Sequence, residues 1–443
     1  MRSIAVAIFI FAALPFVFRR PYLGILLWVW VSVMNPHRLT WGFAYSFSFA
    51  YIVAIVTILS GVLSKEPKQF PVGPITVALI ALVFWMNISP LFPLNGGDDM
   101  YAAWINVTKV FLMTFFTIWL LQSRQHVHWL ICTLAFSIGY FGTKGGLFTL
   151  LTGGGFQVWG PPGSFIEDNN KLAVAVVMVI PLIYYVYLTS KHYWLRWGLR
   201  GAMVLCAASA LGSQSRGAML ALCATGAMLW YKSSHKLAVG LALLLLVPAA
   251  LIVMPDSWKS RMQTIETYEQ DSSASHRLVA WEEMFNVAKD RLPIGGGYEL
   301  ATQGIWNRYS PSPGSPLVVA HSSYFQMLGE HGFVGLTLFL SALLAAWSTG
   351  NWIRRKTRDR EEWRWAFDLA SMIQVSLVGY MVGGAFLDMT YFDVTFYLLA
   401  ALAVTRALVE KELRHHASPV NDNPASRVTP LPASADTIAF TRK

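Results

Sequence analysis

Apolar residues run along this chain in long blocks divided by short polar or basic breaks. Thirteen blocks can be marked, at residues 3–18, 22–34, 43–63, 72–92, 101–121, 127–150, 171–189, 197–212, 216–231, 236–254, 333–349, 365–387 and 392–409. A helix of about 20 residues, rising 1.5 Å per residue, crosses the ~30 Å of hydrocarbon in a bilayer. The pattern therefore predicts an all-α polytopic integral membrane protein. The first two blocks are short and separated only by Arg19 and Arg20. They form either one re-entrant hairpin, leaving twelve crossings, or two of thirteen. Arg2 ahead of an apolar block has the form of a signal peptide, but no small-residue cleavage site follows before Arg19, so the segment is expected to be retained.

One polar stretch is long. From His276, the residues Leu278, Trp281, Phe285 and Ala288 recur at helical spacing, with Ser275 as N-cap and Pro293 and Gly295 to Gly297 as the end. This predicts an amphipathic helix lying on the membrane surface. Pro311, Pro313 and Pro316 mark irregular chain beyond it. After Leu413 the composition turns to Pro, Ser, Ala and Asn, predicting a disordered tail. The domain reading is a transmembrane bundle at 1–254, a loop subdomain at 255–332, further transmembrane helices at 333–410 and a tail at 411–443.

Composition narrows the class. Of the 443 residues 55% are apolar and 13% charged, where soluble domains run nearer ~25% charged. A soluble multidomain enzyme, a disulfide-stapled module and a nucleic-acid binder are excluded in spite of the net charge of +10. Cys132, Cys206 and Cys223 lie in apolar blocks, as small hydrophobes. The positive charge is distributed by topology: Arg19, Arg20, Lys65, Lys68, Arg124, Lys191, Arg196, Arg200, Lys232, Lys236, the cluster Arg354 to Arg364 and the tail fall on one side and hold 21 of the 34 basic residues. The positive-inside rule makes that side the cytoplasm. The other side holds the connections 35–42, 93–100, 151–170, 388–391 and that around Ser213 to Gly217. It also holds the loop 255–320, whose six basic and eight acidic residues rule out a polybasic anchor.

Unusual polar residues collect on this outer side, each at a predicted helix start: Glu167, Asp168, Asn169, Asn170 and Lys171; Ser213, Gln214, Ser215 and Arg216; Arg277; and His321, Ser322, Ser323 and Tyr324. A helix start offers unpaired N–H groups and about half a positive charge, a natural anion site. Two guanidinium forks, Arg216 and Arg277, suit phosphate oxygens. The dipole at its helix start would keep His321 neutral and able to take a proton. Taken singly, Arg216 reads equally as an interfacial anchor, Arg277 as a solvated helix face and His321 as a cap. Their shared side points to a site.

Other features read as structure. Asp98 and Asp99 match either a metal-dependent sugar transferase or a hydrated loop, and no nearby ligand completes a metal set. Lys109 must face a cavity or snorkel outward. Gly379 and Gly383 suit close helix packing, and the glycine triplets at 153–155 and 295–297 flexible turns. Glu330, His331 and Gly332 predict a break between a short interfacial helix opened by His321 and the crossing at 333. Tyr324, Met327, Leu328 and His331 would share the face of His321. No internal repeat is evident.

The motif Ser213-Gln214-Ser215-Arg216-Gly217, Arg277 in a late outer loop, His321-Ser322-Ser323-Tyr324 and Gly329-Glu330-His331-Gly332, in this order among many spans, resemble the O-antigen ligase superfamily, which includes O-antigen polymerases and protein O-oligosaccharyltransferases. The resemblance covers most of residues 1–410, and the N-terminal half also resembles a branch of O-glycosylation ligases. It implies a multi-pass protein of a bacterial inner membrane whose outer loop and active site face the periplasm. The implied reaction transfers a polysaccharide from undecaprenyl diphosphate to a sugar hydroxyl of the lipid A core, completing lipopolysaccharide. It further implies an inverting displacement without metal or other cofactor, with membrane lipids and no nucleic acid as partners. Arg216, Arg277 and His321 are then the functional positions. Tyr324, Ser215 and Asp168 to Asn170 are expected to contact sugar, and Lys171 to be a third phosphate contact. The rival from another class is a lipid-linked glycan transporter, for which Lys109 alone supplies a mid-span charge.

Overall fold

In the computed structural model the described residues are 1–443 apart from 234, 257, 259–271 and 418–443. Among them all regular structure is helical. The order is α1 (Arg2–Arg19), α2 (Tyr22–Val29), α3 (Phe43–Ser46), α4 (Phe49–Leu63), α5 (Pro74–Ile88), α6 (Asp98–Leu120), α7 (Arg124–Leu151), α8 (Asn169–Thr189), α9 (Tyr193–Gly212), α10 (Arg216–Lys232), α11 (Lys236–Val253), α12 (Ser272–Asp290), α13 (Gln303–Tyr309), α14 (Ser323–Thr357), α15 (Arg364–Gly384) and α16 (Asp393–Ala417). Every apolar block falls on helix. Six segments among the described residues are long and apolar enough to cross a membrane: α1, α5 extended to Leu91, α6, α8, α14, and α15 with the turn before it. The 43–63 block is broken into α3 and α4 by extended backbone at Phe47. The expected tail begins later than Leu413, since α16 continues to Ala417, and the remainder lies outside the described residues.

α8 is the central column. It is buried almost without interruption from Leu172 to Ile183, as expected of a helix apolar on every side, and α7, α9, α10 and α15 pack around it. Small residues set the closest approaches. A Cβ on Gly146 of α7 would stand 1.9 Å from the Leu205 carbonyl oxygen of α9, and one on Gly145 2.4 Å from Ser209 Oγ. Gly379 and Gly383 of α15 press on α10 and α8 through Thr225 and Val174, the packing expected of the GxxxG pair. Lys109 lies exposed on α6 and donates to Asn106 at 3.3 Å, so it faces outward. Asp98 and Asp99 open α6 as first-turn carboxylates, where they offset its dipole.

The segment ahead of α14 has its own small core, in which Ala280, Met284 and Val287 of α12 meet Leu300, Ile305, Trp306 and Tyr309. This corrects the reading of α12 at its start. The helix begins at Ser272, so Ser275 is not its N-cap and Arg277 lies beyond its first turn. Ala280, Met284 and Val287 face the small core; of the predicted apolar stripe Ala288 is buried, and Leu278 and Phe285 stay exposed, as a stripe lying on a membrane surface would be. The break in α14 comes at Gly332, whose φ of 69° is not helical. A Cβ there would lie 2.2 Å from the Pro293 carbonyl oxygen, so glycine is required both by the backbone and by the loop pressed against it.

Candidate active site

Three helix starts meet at one end of the bundle. At α8, Asp168 is the N-cap and accepts from the N–H groups of Asn170 and Lys171 at 2.9 and 3.1 Å. Buried Asn169 donates to the Ser213 carbonyl at 2.7 Å, which ties this start to that of α10. There Ser215 caps the helix by accepting from Ala218 N–H at 3.2 Å, and Arg216 is the first helical residue. At α14, Ser323 donates to the Leu387 carbonyl at 2.9 Å and accepts from Met389 N–H at 3.0 Å. The connection from α15 to α16 lies across all three, since a Cβ on Gly217 would meet Phe386 Cβ at 3.1 Å.

Asp388, in that connection, is the residue around which charge is organised. Its Oδ2 lies 2.8 Å from Lys171 Nζ and its Oδ1 3.3 Å from His321 Nδ1. Burial pushes its carboxyl up, but the hydrogen bond from His321 and the Lys171 ammonium outweigh that and hold it down at about 2. A carboxylate at Nδ1 fixes the tautomer: Nδ1–H donates to Asp388, and Nε2 keeps a lone pair for another proton. His321 is half-exposed and adopts a left-handed backbone, φ 42°, a conformation that costs a non-glycine residue on the order of 1–3 kcal/mol. On either side of it, Trp281 donates to the Ala320 carbonyl at 2.7 Å and Ser323 is held as above.

The connection is held from beneath by buried polar groups. Thr390 Oγ1 is 2.6 Å from Gln326 Oε1, and Gln326 donates to Glu330 at 3.2 Å. Tyr391 donates to Glu330 and lies 2.8 Å from His331 Nε2, while Ser89 pairs with His331 Nδ1. One assignment satisfies the chain: Ser89 donates to Nδ1, and Nε2–H donates to Tyr391. Such a network fixes the loop that carries Asp388.

The residues expected to contact sugar or phosphate each have a place in the protein's own bonding. Lys171 is ion-paired with Asp388 and lies over the Phe165 ring at 5.1 Å. The Tyr324 hydroxyl donates to the Met381 carbonyl at 2.8 Å and so braces α14 on α15. Asp168, Asn169 and Ser215 build the helix starts, and Asn170 donates to its neighbours Asp168 and Asn169. His321 precedes α14, which begins at Ser323, and does not share the face of Met327, Leu328 and His331, all three buried. The expectation for this residue looked to its helix start, whereas the charged group that meets its ring is the Asp388 carboxylate. Arg277 stands one turn before Trp281, whose ring stacks on Phe325 at 4.9 Å, on the helix beside the His321 segment. Asp388 was missed in sequence. The outer position of 388–391 was visible, but nothing local to the residue marks it, because His321 is 67 positions away.

A helical bundle with membrane-length apolar helices and a polar cluster where helix starts converge defines an integral membrane protein with a site at one end. Residues 201–340 match the O-antigen ligase family, and the chain thus carries a domain of the O-antigen ligase superfamily. Residues 1–191 match a family of unknown function, DUF5935. The first match contains Arg216, Arg277 and His321; Lys171 falls in the second, and Asp388 follows both. No curated protein matches the chain.

Proposed function

We propose that the protein is a periplasmic-face glycosyltransferase that moves a glycan from a lipid diphosphate carrier to an acceptor hydroxyl, with the lipid A core as acceptor. The observation that carries the reading is His321 held by Asp388 at the convergence of three helix starts, one of them opened by Arg216. In a single displacement, His321 Nε2 takes the proton of the acceptor hydroxyl while that oxygen forms a bond to the anomeric carbon. The bond from this carbon to the diphosphate breaks, and its electron pair leaves with the lipid diphosphate. Arg216 and Arg277 offset the charge that grows on the leaving oxygens. General-base help is typically worth about 10²–10⁴-fold, and a preorganised cationic group about 3–4 kcal/mol. Asp388 fixes the imidazole, and Lys171 keeps Asp388 ionised.

A strain lacking the protein distinguishes the superfamily's activities by what accumulates. Unligated lipid-linked polymer is expected. Single lipid-linked repeat units would mean a polymerase, and an unglycosylated protein with normal lipopolysaccharide a protein ligase. Purified protein that joins donor to acceptor in detergent, with no sealed bilayer, excludes a transporter; failure to do so with every acceptor would overturn the transferase reading.

A further inference from the structure

Where α8 ends and α9 begins, two arginines are gathered on one oxygen. Arg196 and Arg200 each donate one Nη2–H to the Tyr187 hydroxyl oxygen, at 2.9 and 2.7 Å, and both guanidinium groups lie over the Tyr187 ring, at 4.5 and 5.1 Å. The phenol is neutral, so it orients the two forks without cancelling either charge. Among the described residues neither arginine is ion-paired to a carboxylate. Asp368, whose charge reaches the neighbouring Tyr184, is taken by Arg364 at 3.2 Å. Like charges held on the same atom repel. Each fork keeps N–H groups that the phenol does not use, and the Tyr187 oxygen, which accepts from both, still has its own proton to donate. Tyr187 stands about 27 Å along α8 from the start that Asp168 caps, so the cluster lies at the end of the bundle opposite that start. Tyr193, Trp194 and Trp197 are exposed beside it, and the Arg200 guanidinium also lies over the Trp197 ring at 4.5 Å. Exposed indole and phenol rings at a helix end mark the headgroup level of a bilayer.

We propose that this cluster binds the phosphate of an anionic phospholipid, bridged by the Arg196 and Arg200 forks and the Tyr187 hydroxyl, with Trp194 and Trp197 against the glycerol and upper acyl chains. Planar guanidinium groups match phosphate oxygens two at a time, and a net negative headgroup relieves the repulsion between them. Basic sites at helix ends near a membrane surface recognise such lipids. A zwitterionic lipid would bring an ammonium group back against the two arginines. A free phosphate would meet the arginines but leave the exposed rings in water. The inference needs the chain to be a membrane bundle and is independent of the transfer chemistry at His321.

The test is native mass spectrometry and thermal shift on delipidated full-length protein, with phosphatidylglycerol, phosphatidylethanolamine and inorganic phosphate as separate probes. Phosphatidylglycerol is expected to be retained and to raise the melting temperature, with binding weakened roughly 30-fold in the Arg196→Gln/Arg200→Gln double variant. Tyr187→Phe, which removes only the oxygen that gathers the two forks, is expected to weaken it roughly 5-fold. Arg355→Gln/Arg358→Gln, which removes two exposed charges from the same predicted side, is expected to leave retention unchanged. Equal retention of phosphatidylethanolamine, retention indifferent to the Arg196/Arg200 variant or to Tyr187→Phe, an equal loss in the Arg355/Arg358 variant, or equal protection by inorganic phosphate would each overturn the proposal.

Discussion

A carboxylate beside a histidine sets which ring nitrogen carries the proton, and a lysine on the carboxylate's second oxygen keeps it charged. Both relations hold at Asp388, and both have measurable consequences. Asp388 is held at about 2, below the ordinary 3.8. Its folded-state value is depressed, so it contributes stability above pH ~4, on the order of 2 kcal/mol, which is lost as pH falls toward 2. Asp388→Asn is therefore expected to lower the melting temperature at pH 7, with the gap from wild type closing as the pH is lowered. A gap independent of pH would show that the ion pairing is not its source. Arg216 and His321 could be singled out as candidates from residue type and order along the chain. Asp388 could not, because its meaning is supplied by partners distant in sequence. The hydrogen bond from the Tyr324 hydroxyl to the Met381 carbonyl was equally invisible in sequence, the two residues being 57 positions apart.

At the scale of single helices, periodicity identified α12 and one apolar stripe, but not the second face that packs on the protein. Leu278 and Phe285 make one apolar stripe and Ala280, Met284 and Val287 another; the second is covered because Trp306 and Leu300 come from later in the chain to meet it. The same packing buries Glu283, 1% exposed, and burial pushes its carboxyl up to about 7. A carboxyl raised above its unfolded value of 4.5 costs stability increasingly as pH rises from there to about 7. Glu283→Gln is expected to raise the melting temperature at pH 8 and to have little effect at pH 4. The α7–α9 contact gives a paired prediction. Gly146→Ala drives a methyl group into the Leu205 carbonyl and should cost about 1–3 kcal/mol by overpacking. Gly198→Ala, which meets nothing within 4 Å, should stabilise α9 by up to ~1 kcal/mol. Chemical denaturation in detergent checks both, and equal effects would contradict the packing described.

For the whole molecule, the thirteen apolar blocks were enough to locate the helices, since hydrocarbon imposes a length and a composition. They did not show which helices pair. Membrane helices choose partners by small-residue fit, and a lone glycine such as Gly145 looks the same in sequence whatever faces it. The alternation of basic residues predicts that a cysteine placed at Gly96 reacts with an impermeant thiol reagent in intact cells, while one at Glu362 does not. The reverse pattern would turn the site toward the cytoplasm. The account depends most on His321 acting as the base within the Asp388 and Arg216 setting. The direct measurement is the initial rate of transfer by purified protein from a lipid diphosphate-linked glycan to lipid A core, for wild type and for correctly folded His321→Ala, Asp388→Asn and Arg216→Ala. The prediction is a loss on the order of 10²-fold or more for His321→Ala, with clear losses for the other two. Near-wild-type transfer by His321→Ala would contradict it.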